Sequence, residues 1–252
     1  MNHSFKNHTF VRLGGVGSGR ATLRNMRSAP LLLSLLASLA SAFTAKAATY
    51  TDATGDFTGG NSDLDISSVS VFNDATTLTF KINLAGNPQN NNWYNFYVGV
   101  SENLFGGVGG NFNAPGGYGK NIQMSQGGMD FVLASYPAYG GYDLKTWNGS
   151  SWNQATGSAS EDATSVTIPV SLASLGLSPG NSFKFDVWAS DNGGDFVLDA
   201  LSDNTPRTWN SNPFDTGANA LSYTVDVPEP TSCALLSLGG LLIVRRMRER
   251  RA

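Results

Sequence analysis

The sequence predicts an all-β fold: an antiparallel β-sandwich, jelly-roll-like, between two hydrophobic terminal helices. Residues 48–226 alternate short apolar and polar runs, and Gly, Asn, Asp and Pro turns separate these runs. No extended helical periodicity interrupts them. Eight or nine such runs in one segment of this length predict two packed antiparallel sheets.

The N-terminal residues 1–47 have the three parts of a secretory signal peptide. Residues 31–43 are apolar, arginines precede them, and the small residues Ala45 and Ala47 stand before a predicted cleavage site at Ala48. We therefore expect this segment to enter the secretion machinery as a hydrophobic helix and to be removed by signal peptidase.

Two alternatives to this processing remain open. Cleavage after Ala42 would also follow a pair of small residues with the same spacing. The stretch before Met26 is long, polar and rich in glycine, and a chain that begins at Met26 would have a signal of ordinary length. We therefore consider Met26 as the true start.

The central segment contains nine predicted strands. The clearest hairpin turns at Asn73 and Asp74, and a second turns at Asn148 and Gly149, because Asn-Gly tolerates the positive φ of tight turns. Residues 172–177 predict a single helical turn, and the glycine-rich residues 104–128 predict a long flexible loop at the rim of the sandwich. The predicted strands are 66–72, 78–84, 93–101, 129–136, 142–147, 165–170, 182–189, 196–201 and 221–225.

The composition of the central segment excludes several functions. Residues 48–226 hold 17 acidic and five basic residues, a net charge of −12, which repels the phosphates of nucleic acids. The histidines, His3 and His8, and the single cysteine, Cys233, lie outside this segment. Disulfides, Ser-His-Asp or Cys-His catalysis, and zinc, copper or haem held by His or Cys are therefore excluded within it.

The C-terminal residues 227–252 combine a proline motif, an apolar helix and a basic cluster. The apolar stretch 233–244 would span about 18 Å as a helix, against ~30 Å of membrane hydrocarbon. The arginines after it are a stop-transfer signal, so we expect a transient inner-membrane anchor. The motif is Pro228, Glu229 and Pro230, and the cluster is Arg245, Arg246, Arg248, Arg250 and Arg251.

These three parts, in this order, resemble the PEP-CTERM sorting domain, which occurs on exported proteins of Gram-negative bacteria that make exopolysaccharide. The resemblance covers residues 227–252. It implies that an exosortase, a membrane protease of transpeptidase type, recognises the motif and removes the helix. It also implies a final location at the cell surface, the outer membrane or the extracellular matrix of a biofilm.

The central segment resembles the DOMON-like group, which is related to family 9 carbohydrate-binding modules. The opening Asp52, Gly55 and Asp56, the pattern from Asp65 to Ile82 and the late Phe-Asp-Val-Trp that ends at Trp188 carry this resemblance. It covers most of residues 50–225. It implies a ligand-binding sandwich without catalysis of its own.

Aromatic residues are the candidates for a glycan site, because a flat ring packs on the apolar face of a pyranose. Tyr142, Trp147 and Trp152 lie around the Asn148-Gly149 turn and are the predicted glycan-binding residues. The alternative is that these side chains fill the core of a domain without disulfides.

Aspartates at short spacing are the candidates for a calcium site, because calcium takes oxygen ligands. Asp52 and Asp56 are the predicted ligands; Asp63, Asp65, Asp191, Asp195 and Asp199 are further acidic residues in the segment. The alternative is that these side chains stabilise turns. A glycosidase that uses two carboxylates needs no histidine and is a third alternative, although the segment holds only the glutamates Glu102 and Glu161.

The sequence therefore predicts an exported, non-enzymatic protein of the cell surface or extracellular matrix, with exopolysaccharide as a partner. Its sandwich either binds glycan or serves as a structural and adhesive component without a ligand.

Overall fold

The structure, a computed structural model, describes residues 47–60, 62–90, 94–101, 110–115, 122–136, 141–191, 196–209 and 214–227. The predicted signal up to residue 46, Met26 included, lies outside the described residues. So do the sorting motif at 228–230 and the arginine cluster at 245–251. Within the described ranges, no helix has the length and apolar character needed to cross a membrane.

The described chain is built from strands with short 3-10 helices between them. The helices are Ser62–Leu64, Pro88–Asn90, Ala173–Leu175 and Gly217–Asn219. The strands are β1 (Ala48–Thr51), β2 (Ile66–Asn73), β3 (Thr77–Leu84), β4 (Tyr94–Ser101), β5 (Ile122–Gln123), β6 (Phe131–Tyr136), β7 (Gly141–Trp147), β8 (Trp152–Ala155), β9 (Ser160–Glu161), β10 (Ser165–Ser171), β11 (Ser182–Asp191), β12 (Val197–Ala200), β13 (Phe214–Asp215) and β14 (Leu221–Thr224).

These strands form two large antiparallel sheets, which confirms the predicted all-β sandwich. One sheet has five strands in the order β1-β2-β3-β10-β9. The other has seven, in the order β12-β11-β4-β6-β7-β8, with β14 paired to the first half of β11. The short strands β13 and β5 form a separate parallel pair.

The order of the strands differs from the jelly roll that the sequence predicts. The chain crosses from the five-stranded to the seven-stranded sheet between β3 and β4, and again between β10 and β11. The order β2-β3-β10-β9 facing β14-β11-β4-β6-β7 is the connection pattern of immunoglobulin-like sandwiches. Strand order depends on where each crossover lands, so alternation along single strands does not determine it.

The nine predicted strands all form, with bounds that differ by a few residues at most. The predicted helical turn appears as the 3-10 helix Ala173–Leu175. Five further strands, β1, β5, β8, β9 and β13, have two to four residues each. Such short elements show too little alternation to be recognised from sequence alone.

The two predicted hairpins are confirmed, and side chains stabilise both turns. Between β2 and β3, the carboxylate of Asp74 accepts the backbone N–H of Thr76 and of Thr77. Between β7 and β8, Oδ1 of Asn148 accepts the N–H of Ser151, and Gly149 has a φ of 94°. Only glycine adopts such a conformation without strain.

The main core lies between the two sheets. Side chains at alternate positions of β2, β3 and β10 meet those of β4, β6, β7 and β11, and each fully buried one contributes about 1.5–3 kcal/mol. The rings of Phe80 and Phe185 lie 5.6 Å apart across the sheets. Its fully buried members on these strands include Val69, Val71, Leu78, Phe80, Ile82, Phe96, Val98, Val100, Leu133, Leu144, Val166, Ile168, Phe183, Phe185 and Val187.

A second core covers the outer face of the seven-stranded sheet. Tyr97, Val132 and Trp188 alternate with main-core residues on their strands, so they point away from the other sheet. Buried side chains from 110–115, 122–130 and 214–220 pack over them, including Ile122 and Met124. This corrects the prediction of a loop at the sandwich rim, because the described parts of the glycine-rich segment form a packed layer.

Gly99 makes room for the largest side chain of the second core. It lies on β4 beside β11, and a Cβ built at this position would stand 2.4 Å from the indole of Trp188 and 3.1 Å from the sulfur of Met124. Trp188 is completely buried, so its ring has no free space to move into. Glycine is therefore required here by packing rather than by backbone conformation.

We expect Gly99→Ala to lower the free energy of unfolding by about 1–3 kcal/mol, because the added methyl overpacks the second core. Urea denaturation of the full-length chain in mild detergent measures this change. Gly141→Ala is the matched control, since a Cβ there meets Tyr136 only at 3.5 Å. Equal stability of the two variants would contradict this account of Gly99.

Candidate functional site

Three aspartates, two of them close in sequence and one from a distant part of the chain, meet at one side of the sandwich. Asp52 follows β1, Asp56 lies in the connection from β1 to β2, and Asp199 belongs to β12 of the other sheet. One carboxylate oxygen from each lies within 4.8 Å of the others. We call Asp52, Asp56 and Asp199 the carboxylate cluster.

Local hydrogen bonds fold the connection that carries Asp52 and Asp56. The carboxylate of Asp65 accepts the N–H of Gly55 at 2.7 Å, which closes a loop around Asp56. Gly55 has a φ of 89°, so this tight loop needs glycine. The backbone N–H of Arg207 donates to the carbonyl of Asp56 at 2.7 Å, and this bond holds the loop against residues 201–209.

Asp199 connects the two sheets directly. One of its carboxylate oxygens accepts the N–H of Ile66, the first residue of β2, at 2.5 Å. The other accepts the N–H of Ala200 at 2.8 Å. The side chain is 2% exposed. The buried carboxylate of Asp199 therefore accepts one backbone hydrogen bond from each sheet.

Several carboxylate oxygens of this region are buried without any hydrogen-bond partner. These are both oxygens of Asp56, Oδ2 of Asp52 and Oδ1 of Asp65. Asp56 and Asp65 are 7% and 5% exposed. Buried polar atoms in proteins are nearly always paired, so four orphaned acceptors in one place require an explanation.

Burial raises the pKa of Asp65 and of all three members of the carboxylate cluster. It raises the pKa of Asp199 to about 8 and that of Asp52 to about 7, and neighbouring aspartates add to both shifts. The pKa values of Asp56 and Asp65 are also raised, again mainly by burial. Both causes disfavour the charged form, so a nearby positive charge would stabilise the cluster strongly.

The basic side chain of the segments that carry the cluster bonds another carboxylate. In the sequence, Arg207 is the only basic residue of segments 52–65 and 196–209. Its guanidinium bonds the carboxylate of Asp203 at 2.9 Å and lies over the ring of Phe214. Asp186, completely buried on β11, instead accepts hydrogen bonds from the hydroxyls of Ser202 and Thr216.

The structure brings together the two predicted calcium ligands, Asp52 and Asp56, and adds Asp199 to them. Asp63 lies apart, where its carboxylate accepts the N–H of Asn87. The side chains of Asp191 and Asp195 lie outside the described residues. An acidic residue inside the apolar run of β12 is the signal that identifies Asp199, because strands rarely bury a carboxylate without a role.

The predicted aromatic residues are divided between two faces of the sheet. Trp147 and Trp152 form a cross-strand pair on β7 and β8, with ring centroids 5.5 Å apart. Leu144 of β7 points into the main core, so Trp147, three residues later, points to the outer face. Trp152 packs at the margin of the second core. We call Trp147 and Trp152 the tryptophan pair.

Polar side chains lie beside the tryptophan pair on the same face. Gln154 and Lys145 are opposite each other on β8 and β7, directly next to the two tryptophans in register. Lys145 donates to Gln154, Gln154 donates to Asp143, and the Lys145 ammonium lies 3.4 Å from the Asp143 carboxylate. The outer face at this sheet edge thus combines flat rings with hydrogen-bonding groups.

Tyr142 does not join this group. It packs against the main core between the sheets, on the other face of β7. Its hydroxyl is buried without a hydrogen-bond partner, and burial raises the pKa of Tyr142. The side chain of Tyr142 therefore fills the core, which was the alternative to glycan binding.

Comparison with protein-family models and with curated proteins found no match to this chain. The comparisons therefore indicate no role for the carboxylate cluster or the tryptophan pair, and their roles are inferred from their geometry.

We expect the metal-free protein to lose stability as the pH rises from 5 to 8. The pKa of Asp199 is about 8 in the folded chain, against 3.8 for the unfolded residue, so the folded state holds a proton that the unfolded state has released. The stabilisation by this proton is complete below the pKa of the unfolded residue. It decreases by roughly 1 kcal/mol per pH unit as the pH rises, and it is lost when the pH passes the pKa of Asp199 in the folded chain.

Thermal unfolding of the full-length chain in EDTA, at several pH values, measures this slope. Asp199→Asn, which does not titrate, should make the slope shallower, although Asp52, whose pKa is raised to about 7, still contributes to it. A wild-type stability that stays constant or increases between pH 5 and pH 8 would contradict the prediction.

Proposed function

We propose that this chain is an exported, non-enzymatic protein of the cell surface or extracellular matrix, and that its sandwich binds polysaccharide. The observation that carries the proposal is the tryptophan pair on the outer face of β7 and β8, next to hydrogen-bonding side chains. The five-stranded sheet covers the opposite face, so it does not block this one.

The chemistry of this face suits a sugar chain. Indole rings pack on the apolar faces of pyranose rings, and carboxylate, ammonium and amide groups bond sugar hydroxyls. Asp143, Lys145 and Gln154 offer all three groups within one network. Because these groups already bond each other, they are held in place before a ligand arrives, which lowers the entropic cost of binding.

Export is the second part of the proposal, and the two terminal segments support it. Residues 1–47 have the composition of a signal peptide, and residues 227–252 resemble a PEP-CTERM sorting tail that an exosortase-like protease would process. A strongly acidic domain without His or Cys suits a matrix component better than a redox or nucleic-acid-binding protein.

The carboxylate cluster does not favour a glycosidase. A glycosidase places its two carboxyl groups on either side of a bound sugar, which must enter from solvent. Asp56 and Asp199 are more than nine-tenths buried, so a pyranose has no room between them. Of the two glutamates, Glu161 lies next to Ser135 at 3.5 Å, and Glu102 lies outside the described residues.

We expect Trp147→Ala to weaken binding to polysaccharide at least tenfold, because it removes the outward stacking surface. Affinity electrophoresis in gels that contain bacterial exopolysaccharides, together with a glycan array, measures retention of the full-length chain. Trp147→Phe keeps a flat ring and should bind better than the alanine variant. Trp209→Ala is the matched control, because this partly exposed indole packs on Phe57 and lies on neither β7 nor β8.

Two outcomes of this experiment would contradict glycan binding. One is a wild-type protein that no polysaccharide retains, which would favour the purely structural or adhesive alternative. The other is equal retention of Trp147→Ala and wild type, which would place the binding surface elsewhere.

Export predicts a specific change in covalent mass. Expressed in a bacterium that contains an exosortase, the protein should lose both termini, with a new N-terminus at Ala48 and a C-terminal cut near Pro228, Glu229 and Pro230. Intact mass spectrometry of the surface fraction measures both cuts. Glu229→Ala should leave the C-terminal segment attached while N-terminal cleavage continues. A protein of full mass in the cytoplasm would contradict the proposal.

A further inference from the structure

We infer that Asp52, Asp56 and Asp199 bind one Ca²⁺ ion, which fastens the β1 edge of the five-stranded sheet to the β12 edge of the other. β1 and β12 are the terminal strands of their sheets. The ion would thus close one side of the sandwich. It takes the place that a disulfide would have in an exported domain with cysteines.

The spacing of the oxygens fits a single calcium shell. Calcium binds oxygen ligands at 2.3–2.6 Å, so two ligands on opposite sides of the ion are about 4.6–5.2 Å apart. The three carboxylate oxygens lie within 4.8 Å of one another, so one ion reaches all of them. Magnesium is the less suitable ion, because it demands a near-ideal octahedron at about 2.0–2.1 Å and gives up its water ligands reluctantly.

The unpartnered oxygens point to a cation in particular. Asp56 is 7% exposed, and neither of its carboxylate oxygens has a hydrogen-bond donor. Oδ2 of Asp52 is likewise buried without a donor. Turn-forming aspartates use their oxygens on nearby backbone N–H groups, as Asp74 does. Asp56 makes no such bond of normal geometry. The N–H groups of Asp56 and Phe57 lower the pKa of Asp56 less than burial raises it, so turn chemistry does not explain why its side chain is buried.

The surrounding charges strengthen the case for a divalent ion. Asp65 adds a further buried carboxylate next to Asp56, and its other oxygen holds Gly55 and thereby the loop. Arg207, the one basic residue of these segments, is engaged with Asp203. Several buried carboxylates without a counter-charge are costly, and a Ca²⁺ ion offsets two of those charges at once.

This inference is independent of glycan binding. The carboxylate cluster involves β12, at one end of the seven-stranded sheet, and the tryptophan pair lies on β7 and β8, at the other end. Loss of calcium binding and loss of polysaccharide binding are therefore expected from different variants, and either proposal can fail alone.

The test is calcium binding and thermal unfolding of the full-length chain, kept in mild detergent and first stripped with EDTA. Calorimetric titration with CaCl₂ should show one site with a Kd between about 1 µM and 1 mM. Calcium at 100 times the Kd should raise Tm by about 5–10 °C. MgCl₂ at the same concentration should give less than half of that shift.

Asp56→Asn is the decisive variant, because it removes the charge and keeps the shape. Without metal, it should unfold at the wild-type Tm or above, because it removes a buried charge that Asp65 repels, and no hydrogen bond of normal geometry is lost. With calcium, its Tm should not rise. Asp162→Asn, at the opposite edge of the five-stranded sheet, is the matched control and should keep the full calcium shift even if its baseline Tm falls.

Three results would overturn the inference. The first is a wild-type Tm that calcium does not change. The second is a calcium shift in Asp56→Asn equal to that of wild type. The third is an equal response to magnesium, which would show a site without the preference for calcium that flexible, all-oxygen coordination provides.

Discussion

Burial on both faces of the seven-stranded sheet is the constraint on which the rest of this structure depends. The domain has no cysteine or histidine to cross-link it, so apolar packing has to provide its stability. β11 shows the result within one strand: Phe185 and Val187 enter the main core, and Trp188 enters the second core. A sheet covered twice tolerates little change in side-chain volume, which is why Gly99 faces Trp188.

The same density makes the buried carboxylates informative. Asp199 accepts a backbone donor from β2 and one from β12, so it joins the two sheets through hydrogen bonds. Asp56 is as deeply placed as a core residue and bonds nothing through its side chain. In a well-packed domain this combination is costly unless a proton or a cation neutralises the charge. A proton can neutralise Asp199, because its pKa is raised to about 8. A calcium ion would neutralise the cluster in place of the proton.

The aromatic residues of β7 lie on two different faces of the sheet because of the parity of the strand. Trp147 and Tyr142 are an odd number of residues apart on β7, so they lie on opposite faces. This parity can be read from the sequence, but which face the second sheet covers follows from Leu144 in the folded core. The described parts of the glycine-rich segment pack over the outer face, because Ile122, Met124 and Met129 provide apolar contacts at the points where glycines allow close approach.

The sequence by itself determined the strands, their hairpins and the absence of His and Cys chemistry, because alternation and turn residues act within a few positions of the chain. It also placed Asp52 and Asp56 near each other, since they are close in sequence. Only the tertiary structure decided that strand order is immunoglobulin-like, that Asp199 meets these residues, and that Tyr142 points inward. Those features depend on where the connections between the sheets bring distant strands together. A local sequence pattern does not determine which strands become neighbours.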